Sequence, residues 1–287
     1  MRLGSILKTA GFHIRCAIER PGFKPYTRKR EIMGVPIEFL VGDIESAVWE
    51  RSARQSGDSA DDRELEFIGS RMLQPGDTVF DCGGHHGKTG IFFSKLVGPS
   101  GKVVVFEPRP VNVRIIEQNV ARNEAGNVTV ERMALGDRQS KLVLRDRSNG
   151  SITWKPSQKG IEVNVTTIDR YAASRCLRPA FIKIDVEGFE YHVLKGATDT
   201  LATNPKLAIE IHASAIRRYG EGLPGLLRLL PAADYDLWTL GETGLATRFA
   251  GTLPAADRFH LFAIPTSRPA TTCEARPNSR TVVGPKS

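Results

Sequence analysis

Thr78-Val79-Phe80-Asp81-Cys82-Gly83-Gly84-His85-His86-Gly87, answered one helix-length later by Val103-Val104-Val105-Phe106-Glu107, decides the fold. An apolar run ends in an acid and breaks into glycines, and a second apolar run again ends in an acid. The order strand, glycine turn, helix, strand is half of a nucleotide-binding α/β unit. Glycines let the backbone turn tightly and approach a ligand with no Cβ in the way. The helix that follows points its free N–H groups at that ligand. Glu107 stands where a carboxylate can accept hydrogen bonds from both ribose hydroxyls.

The spelling narrows the ligand. A dinucleotide fingerprint wants G-x-G-x-x-G, whereas the order here is Asp81-x-Gly83-x-x-x-Gly87. An anion at the strand end would repel a pyrophosphate and attract an ammonium or sulfonium group. S-adenosylmethionine carries both, with a ribose for Glu107. On this stretch alone an ordinary strand-to-helix turn remains the alternative.

Outward from this stretch the alternation is regular. Leu65, Ile68 and Met72 predict a helix over 64–73, which Pro75-Gly76-Asp77 ends before the first strand. Strands are expected at 78–82, 102–107, 128–132, 180–185 and 206–211, with helices between them at 110–123 and 189–202. Continuous apolar runs such as Val103–Phe106 suit strands buried on both faces. Alternating β and α segments imply a doubly wound, mostly parallel sheet. An inserted β pair is expected at 141–145 and 161–167, a short β element at 31–41, and two late antiparallel strands at 234–240 and 258–264. The expected organisation is an N-terminal extension (1–64), a catalytic body (65–265) and a disordered tail (266–287).

The 287 residues contain no apolar run of membrane-spanning length and no secretory leader, so a cytoplasmic protein is expected. Cys16, Cys82, Cys176 and Cys273 lie far apart with no C-x-x-C pair, which argues against zinc and disulfide frameworks. Residues 1–30 hold eight Lys/Arg against Glu19, a net +7 of the total +8, leaving the body near neutral. Nucleic acid is therefore not expected as a partner. Leu3, Leu7, Ala10, Ile14 and Ala17 share one stripe of a basic helix over 1–20. That helix either packs on protein or, with the rest of residues 1–30, makes peripheral contact with an anionic membrane.

Two later strands end in ionisable residues. Lys183-Ile184-Asp185-Val186-Glu187-Gly188 brings Asp185 to a strand tip, where it either acts on the ligand or caps the next helix. Ile209-Glu210-Ile211-His212 supplies a histidine whose ordinary pKa suits a base at neutral pH. Here a resemblance becomes specific. Phe181–Glu190, followed by Val193-Leu194-Lys195-Gly196-Ala197, resembles the signature of FkbM-type methyltransferases. Val79–Gly83, Val105-Phe106-Glu107-Pro108, Ala134-Leu135-Gly136-Asp137, Thr167-Ile168-Asp169 and Ile209–His212 match further segments of that family, in order over about 65–212.

The resemblance implies a class I methyltransferase fold (Rossmann-like, α/β) with a doubly wound, seven-stranded sheet, mostly parallel with a late antiparallel strand. It implies S-adenosylmethionine as cofactor and mainly O-methylation of sugars and other small molecules. Asp81, Gly83, Gly84 and Gly87 are then assigned to the methionine end, Glu107 to the ribose, and Met133 and Ala134 to the adenine edge. Asp185 would lie near the transferred methyl, and Asp185 and His212 are the catalytic candidates. Where the family often has Ala-Asn, this chain has Gly84-His85, so His85 would take over as the hydrogen-bonding loop residue. His86 and His192 are expected to be structural, and His13 and His260 carry no signal. Trp49, Trp154 and the 145–160 loop are candidates for the acceptor pocket. No metal is expected, the alternative being that Asp185, Glu187, Glu210 and His212 gather a divalent cation for a diol. N-methylation of a small amine, or a cofactor-binding protein without catalysis, are the alternative functions.

Overall fold

The computed structural model describes residues 14, 16–55, 60–144, 152–153, 160–230, 234–241, 245–251, 254 and 256–266. The basic segment over 1–13, Trp154 and the C-terminal tail beyond 266 lie outside the described residues, as does the side chain of Trp49.

The chain opens with a hairpin rather than one β element, β1 (Tyr26–Ile32) pairing antiparallel with β2 (Val35–Val41). Met33 and Gly34 both have positive φ, 52° and 76°, as a two-residue turn matched to the twist of its strands requires. Helices α1 (Ile44–Gln55) and α2 (Ala60–Arg71) follow. Part of the basic excess is consumed here. Arg28 Nη1 donates to Glu50 at 2.9 Å, Arg30 pairs with Asp62, and Arg20 lies 3.5 Å from Glu45. The outer backbone of β2 is met by side-chain amides from the last turn and C-cap of the helix over 110–122. Glu38 N donates to Asn123 Oδ1 (2.9 Å) and Leu40 N to Asn119 Oδ1 (2.7 Å), while Asn123 Nδ2 donates to Glu38 O (2.5 Å).

The body then alternates: β3 (Thr78–Cys82), α3 (Lys88–Val97), β4 (Lys102–Phe106), α4 (Pro110–Arg122) and β5 (Val128–Glu131). A second sheet is built from β6 (Ala134–Leu135), β7 (Ser140–Leu144), β8 (Ile152–Thr153) and β9 (Ile161–Thr166), with β7 and β9 antiparallel. After α5 (Ile168–Arg175) and β10 (Phe181–Ile184), the helix expected over 189–202 is two, α6 (Glu190–Lys195) and α7 (Thr198–Leu201). Gly196 sits at the break, where a Cβ would lie 2.0 Å from Gly136 O. The chain closes through β11 (Lys206–His212), α8 (Ala213–Arg218), α9 (Leu223–Leu229), β12 (Tyr235–Leu240), β13 (Ala246–Arg248) and β14 (Arg258–Pro265).

The main sheet runs β13-β12-β14-β11-β10-β3-β4-β5, parallel from β11 through β5 and antiparallel at β14. Seven strands make the expected doubly wound order, and the three-residue β13 adds an eighth at the edge. Strand alternation divides the core. Phe80, Phe106, Ile182, Ile184, Ile209 and Phe259 pack on one face, and Val79, Val105, Phe181, Ala208 and Phe262 on the other. On the second face the same alternation replaces apolar side chains by Asp81, Lys183, Glu210 and His260 toward the strand tips, all buried.

Candidate active site

The polar layer follows from register. Asp81 is the partner of Lys183 between β3 and β10, and Glu210 the partner of His260 between β11 and β14. Residues two apart share a face, so Lys183 aligns with Asp185, and Glu210 with His212. The sequence placed Asp81, Asp185 and His212 at strand tips, and all three meet here. It did not show that Lys183 would be buried, its Nζ 3.1 Å from Asp185 Oδ2. Nor did it show that His260 would approach Glu64 of α2 at 3.4 Å, or that Arg258 would pair with Glu210. His260 was legible only as a polar residue in an otherwise apolar strand.

The glycine loop is tied to both strand tips. Gly83 N and Gly84 N donate to Phe106 O at 2.9 and 3.1 Å, and Asp185 N donates to Cys82 O at 2.9 Å. Gly83 has φ 97°, and a Cβ there would stand 1.9 Å from Asp185 O. At Gly84 a Cβ would meet Val105 Cγ1 at 2.1 Å. Gly87 has φ 83° and begins α3. Gly83 and Gly84 are thus bare because there is no room for a Cβ at either position.

Glu107, 6 % exposed, accepts from His85 N (2.9 Å), Arg109 N (2.9 Å) and Asn112 Nδ2 (3.3 Å). These fill three of the roughly four lone-pair directions of a carboxylate. The remaining direction is open to a further donor. Burial lifts its carboxyl to about 7 against those hydrogen bonds. Asp81 is fully buried, and neither oxygen has a hydrogen-bond partner. Burial lifts it to about 6, with Lys183 opposing and Asp185 and Glu64 reinforcing. A buried carboxylate without donors, beside glycines that leave no space for a Cβ, fits a nucleoside that bears a positive charge.

His85 does hydrogen-bond, but away from the strand tips: its Nε2 lies 3.3 Å from Ser46 Oγ and its ring stacks on His86 at 4.1 Å. Burial and His86 bring it down to about 3. Ala134 is packed in the apolar cluster of the second sheet with Val165 and Phe189. Met133 lines an open cleft of about 740 Å³ with Lys141, Thr166, Arg170, Tyr171 and Arg175. None of Asp81, Glu107, Asp185 and His212 lines that cleft.

His212 departs from its expected ordinary pKa. Its Nδ1 lies 2.8 Å from Glu190 Oε1, and Nε2 lies 3.7 Å from Glu187 and 3.8 Å from Glu210. Burial pulls the imidazolium down, but Glu190, Glu210 and Glu187 outweigh it and raise it to about 10. At neutral pH the ring is therefore protonated. Burial also raises Asp185, but Lys183 and then His212 more than offset it and hold this carboxyl well below the usual range. Glu210 goes the other way, lifted to about 7 by burial and Asp185.

The profile described as the methyltransferase FkbM domain matches residues 81–237. The hexuronic acid methyltransferase AglP of Haloferax volcanii is 25 % identical over 189 residues, 64 % of this chain and 73 % of that protein. Among solved structures, an rRNA methylase from Streptococcus thermophilus overlays with a TM-score of 0.44 at 11 % identity, covering 72 % of this chain and 97 % of the other. Aeropyrum pernix fibrillarin with bound S-adenosyl-L-methionine overlays at 0.43 and 14 % identity, covering 85 % and 86 %.

Proposed function

Because the chain belongs to the FkbM methyltransferase family, and is thus an S-adenosylmethionine-dependent methyltransferase, we propose that it methylates a hydroxyl of a sugar or similar small molecule. A uronic acid is the first acceptor class to try. The observation that carries the site is the convergence of Asp81, Glu107, Asp185 and His212 at the tips of adjacent strands around a glycine loop. The 25 % identical relative, whose name gives a hexuronic acid, supports a saccharide acceptor.

When bound, the cofactor supplies an activated methyl group on a sulfonium. The chain must hold the acceptor in line with it and keep water out, and alignment of this kind contributes roughly 7–11 kcal/mol. Glu107 receives a ribose hydroxyl, the loop Gly83–Gly87 lies against the methionine end, and Asp81 compensates its positive charge. Asp185, whose backbone N–H is fixed on Cys82, borders the transfer point. The proton shed by the acceptor hydroxyl is received among the carboxylates of Asp185, Glu187 and Glu210, His212 already being protonated. Glu210, lifted to about 7, is the member tuned to take up a proton near neutrality.

Calorimetric titration tests the cofactor half. S-adenosylmethionine should bind and NAD should not, and Glu107→Ala should weaken binding by about 100-fold, since hydrogen bonds to a charged group contribute roughly 1.5–3 kcal/mol each. Binding of both nucleotides, or equal affinity in the variant, would sink the assignment. Labelled methyl transfer then tests the acceptor: label on uronates or hexoses supports the reading, and label confined to amines overturns it.

Affinity should also depend on pH. Asp81 at about 6 and Glu107 at about 7 are protonated in the free protein at mildly acidic pH. A cationic ligand that needs carboxylate acceptors binds the deprotonated forms, so binding releases protons. Affinity should rise with pH through about 6 to 7, then level off, and fall roughly tenfold per unit below that range for each group linked. Titrations in buffers of different ionisation enthalpy should register the released protons. A flat profile from pH 5 to pH 8 (values about the two pKa values) would refute the linkage.

A further inference from the structure

We propose that Asp185, Glu187 and His212 bind a divalent cation of the Mn²⁺ class, which holds an acidic or diol-bearing acceptor against the reacting methyl. This rests on the function proposed above and deepens it.

One ligand atom from each of these three residues lies within 4.8 Å of the other two. Cations of this class bond nitrogen and oxygen at roughly 2.0–2.3 Å, which spaces ligand atoms about 3–4.5 Å apart. Small side-chain rotations therefore close the triad on an ion. One imidazole with two carboxylates suits Mn²⁺ or Fe²⁺ better than a purely oxygen-liking cation.

A separate observation concerns the tautomer. Glu190 is wholly buried and aims its carboxylate at His212 from behind the triad. Its Oε1 accepts from Gly188 N at 2.9 Å and meets His212 Nδ1 at 2.8 Å, while Oε2 is buried with no partner. Nδ1 is thereby the donor nitrogen, and Nε2 is left facing Glu187 and Glu210. A carboxylate behind a histidine is the outer-shell arrangement that orients metal-binding imidazoles.

Charge points the same way. Asp185, Glu187 and Glu210, with Glu190 behind His212, outnumber the countering Lys183, Arg258 and His212. An anionic acceptor would meet repulsion from these carboxylates. A divalent cation reverses it, gives a carboxylate or adjacent hydroxyls something to chelate, and takes the place of the proton on Nε2. The acceptor hydroxyl on the cation then loses its proton more easily, and Glu210 stands close enough to the imidazole edge to collect it.

The full-length protein is titrated with Mn²⁺ and followed by electron paramagnetic resonance, with and without S-adenosylmethionine. A single saturable site is expected, and pulsed measurements on the wild-type protein should show nitrogen coupling from a bound imidazole. Asp185→Asn and His212→Gln should abolish the site, and Glu190→Gln should weaken it about 10–100-fold. A second group, Asp43, His85 and His86, also brings ligand atoms together, so Asp43→Asn should leave Mn²⁺ binding unchanged. Loss in Asp43→Asn with retention in Asp185→Asn would overturn the proposal. So would Mn²⁺ binding without nitrogen coupling, or no binding while S-adenosylmethionine still binds. Nitrogen coupling is read on the unmutated chain, so variants that fail to fold do not protect the idea. Calorimetry of the cofactor on the same samples separates failure of the cation site from failure of the proposed function.

Discussion

Gly83→Ala should lower stability by about 2–5 kcal/mol and remove measurable S-adenosylmethionine binding. Two costs combine at this residue. Its φ of 97° lies where an L side chain is strained, which costs about 1–3 kcal/mol. The added methyl would stand 1.9 Å from the carbonyl oxygen of Asp185. That oxygen belongs to backbone held by the bond from Asp185 N to Cys82 O, so it cannot move as a side-chain tip could, and overpacking adds roughly 1–3 kcal/mol. In a domain of this size each kcal/mol shifts the melting temperature by about 2–4 °C. Gly126→Ala is the matched control, because nothing lies within 4 Å of its added Cβ and its φ is not left-handed. It should change stability by less than about 0.5 kcal/mol. Equal melting of the Gly83 variant and wild type would show that the loop yields to the added methyl.

Lys183→Met is the second large effect, at about 3–5 kcal/mol, the usual consequence of removing one partner from buried charges. Lys183 is 3 % exposed. Burial opposes its charge, but Asp185, Glu64, Asp81 and Glu210 outweigh that and hold it protonated. Without it the carboxylates repel one another inside the protein and take up protons. The pH dependence follows in sign. Asp185 is depressed in the wild type, so its contribution is present above the unfolded carboxylate pKa and is lost as pH falls through the folded one. The variant lacks that contribution. Its deficit should be largest at neutral pH, shrink toward pH of about 4 as the carboxylates left without Lys183 take up protons, and shrink further below that as the wild type loses the Asp185 contribution. Urea midpoints of both proteins across this range give the comparison. Partial recovery in the double variant Lys183→Met/Asp81→Asn would tie the effect to the buried charges. A deficit that does not vary with pH would tie it to lost packing instead.

Those two residues also mark what was legible in the sequence. The alternation of strands and helices could be read because β3, β4 and β10 are mostly apolar runs, and because glycines mark a turn where Cβ atoms do not fit. The acids at strand tips were visible as interruptions of apolar runs. Lys183 was visible too, but its burial was not, since a lysine among apolar residues reads equally as a solvent-facing alternation. The environment of His212 was hidden for another reason. Glu190 sits 22 residues away on α6 and comes beside the ring only when α6 folds back over β11. An unperturbed pKa was therefore the wrong starting value. Local geometry explains the two misread elements. Gly196 breaks a helical run because the Gly136 carbonyl passes beneath it, and the Met33-Gly34 turn doubles an apparent single strand. The basic N-terminal stretch looked like a surface patch because the acids that pair with Arg28 and Arg30 belong to α1 and α2.

Asn119 of α4 and Asn123 at its C-terminal end have a consequence for anyone building chimeras. The hairpin β1–β2 is held along its outer edge by Asn119 and Asn123, and Asn119 also donates to His86 O in the glycine loop at 2.8 Å. The fastening thus belongs to the recipient body and not to the transplanted piece. Swapping residues 26–41 between relatives would carry over the strands but leave their anchors behind. A successful graft has to move two side chains lying about 80 positions downstream in the same cut, so this part of the chain is inherited as a discontinuous module.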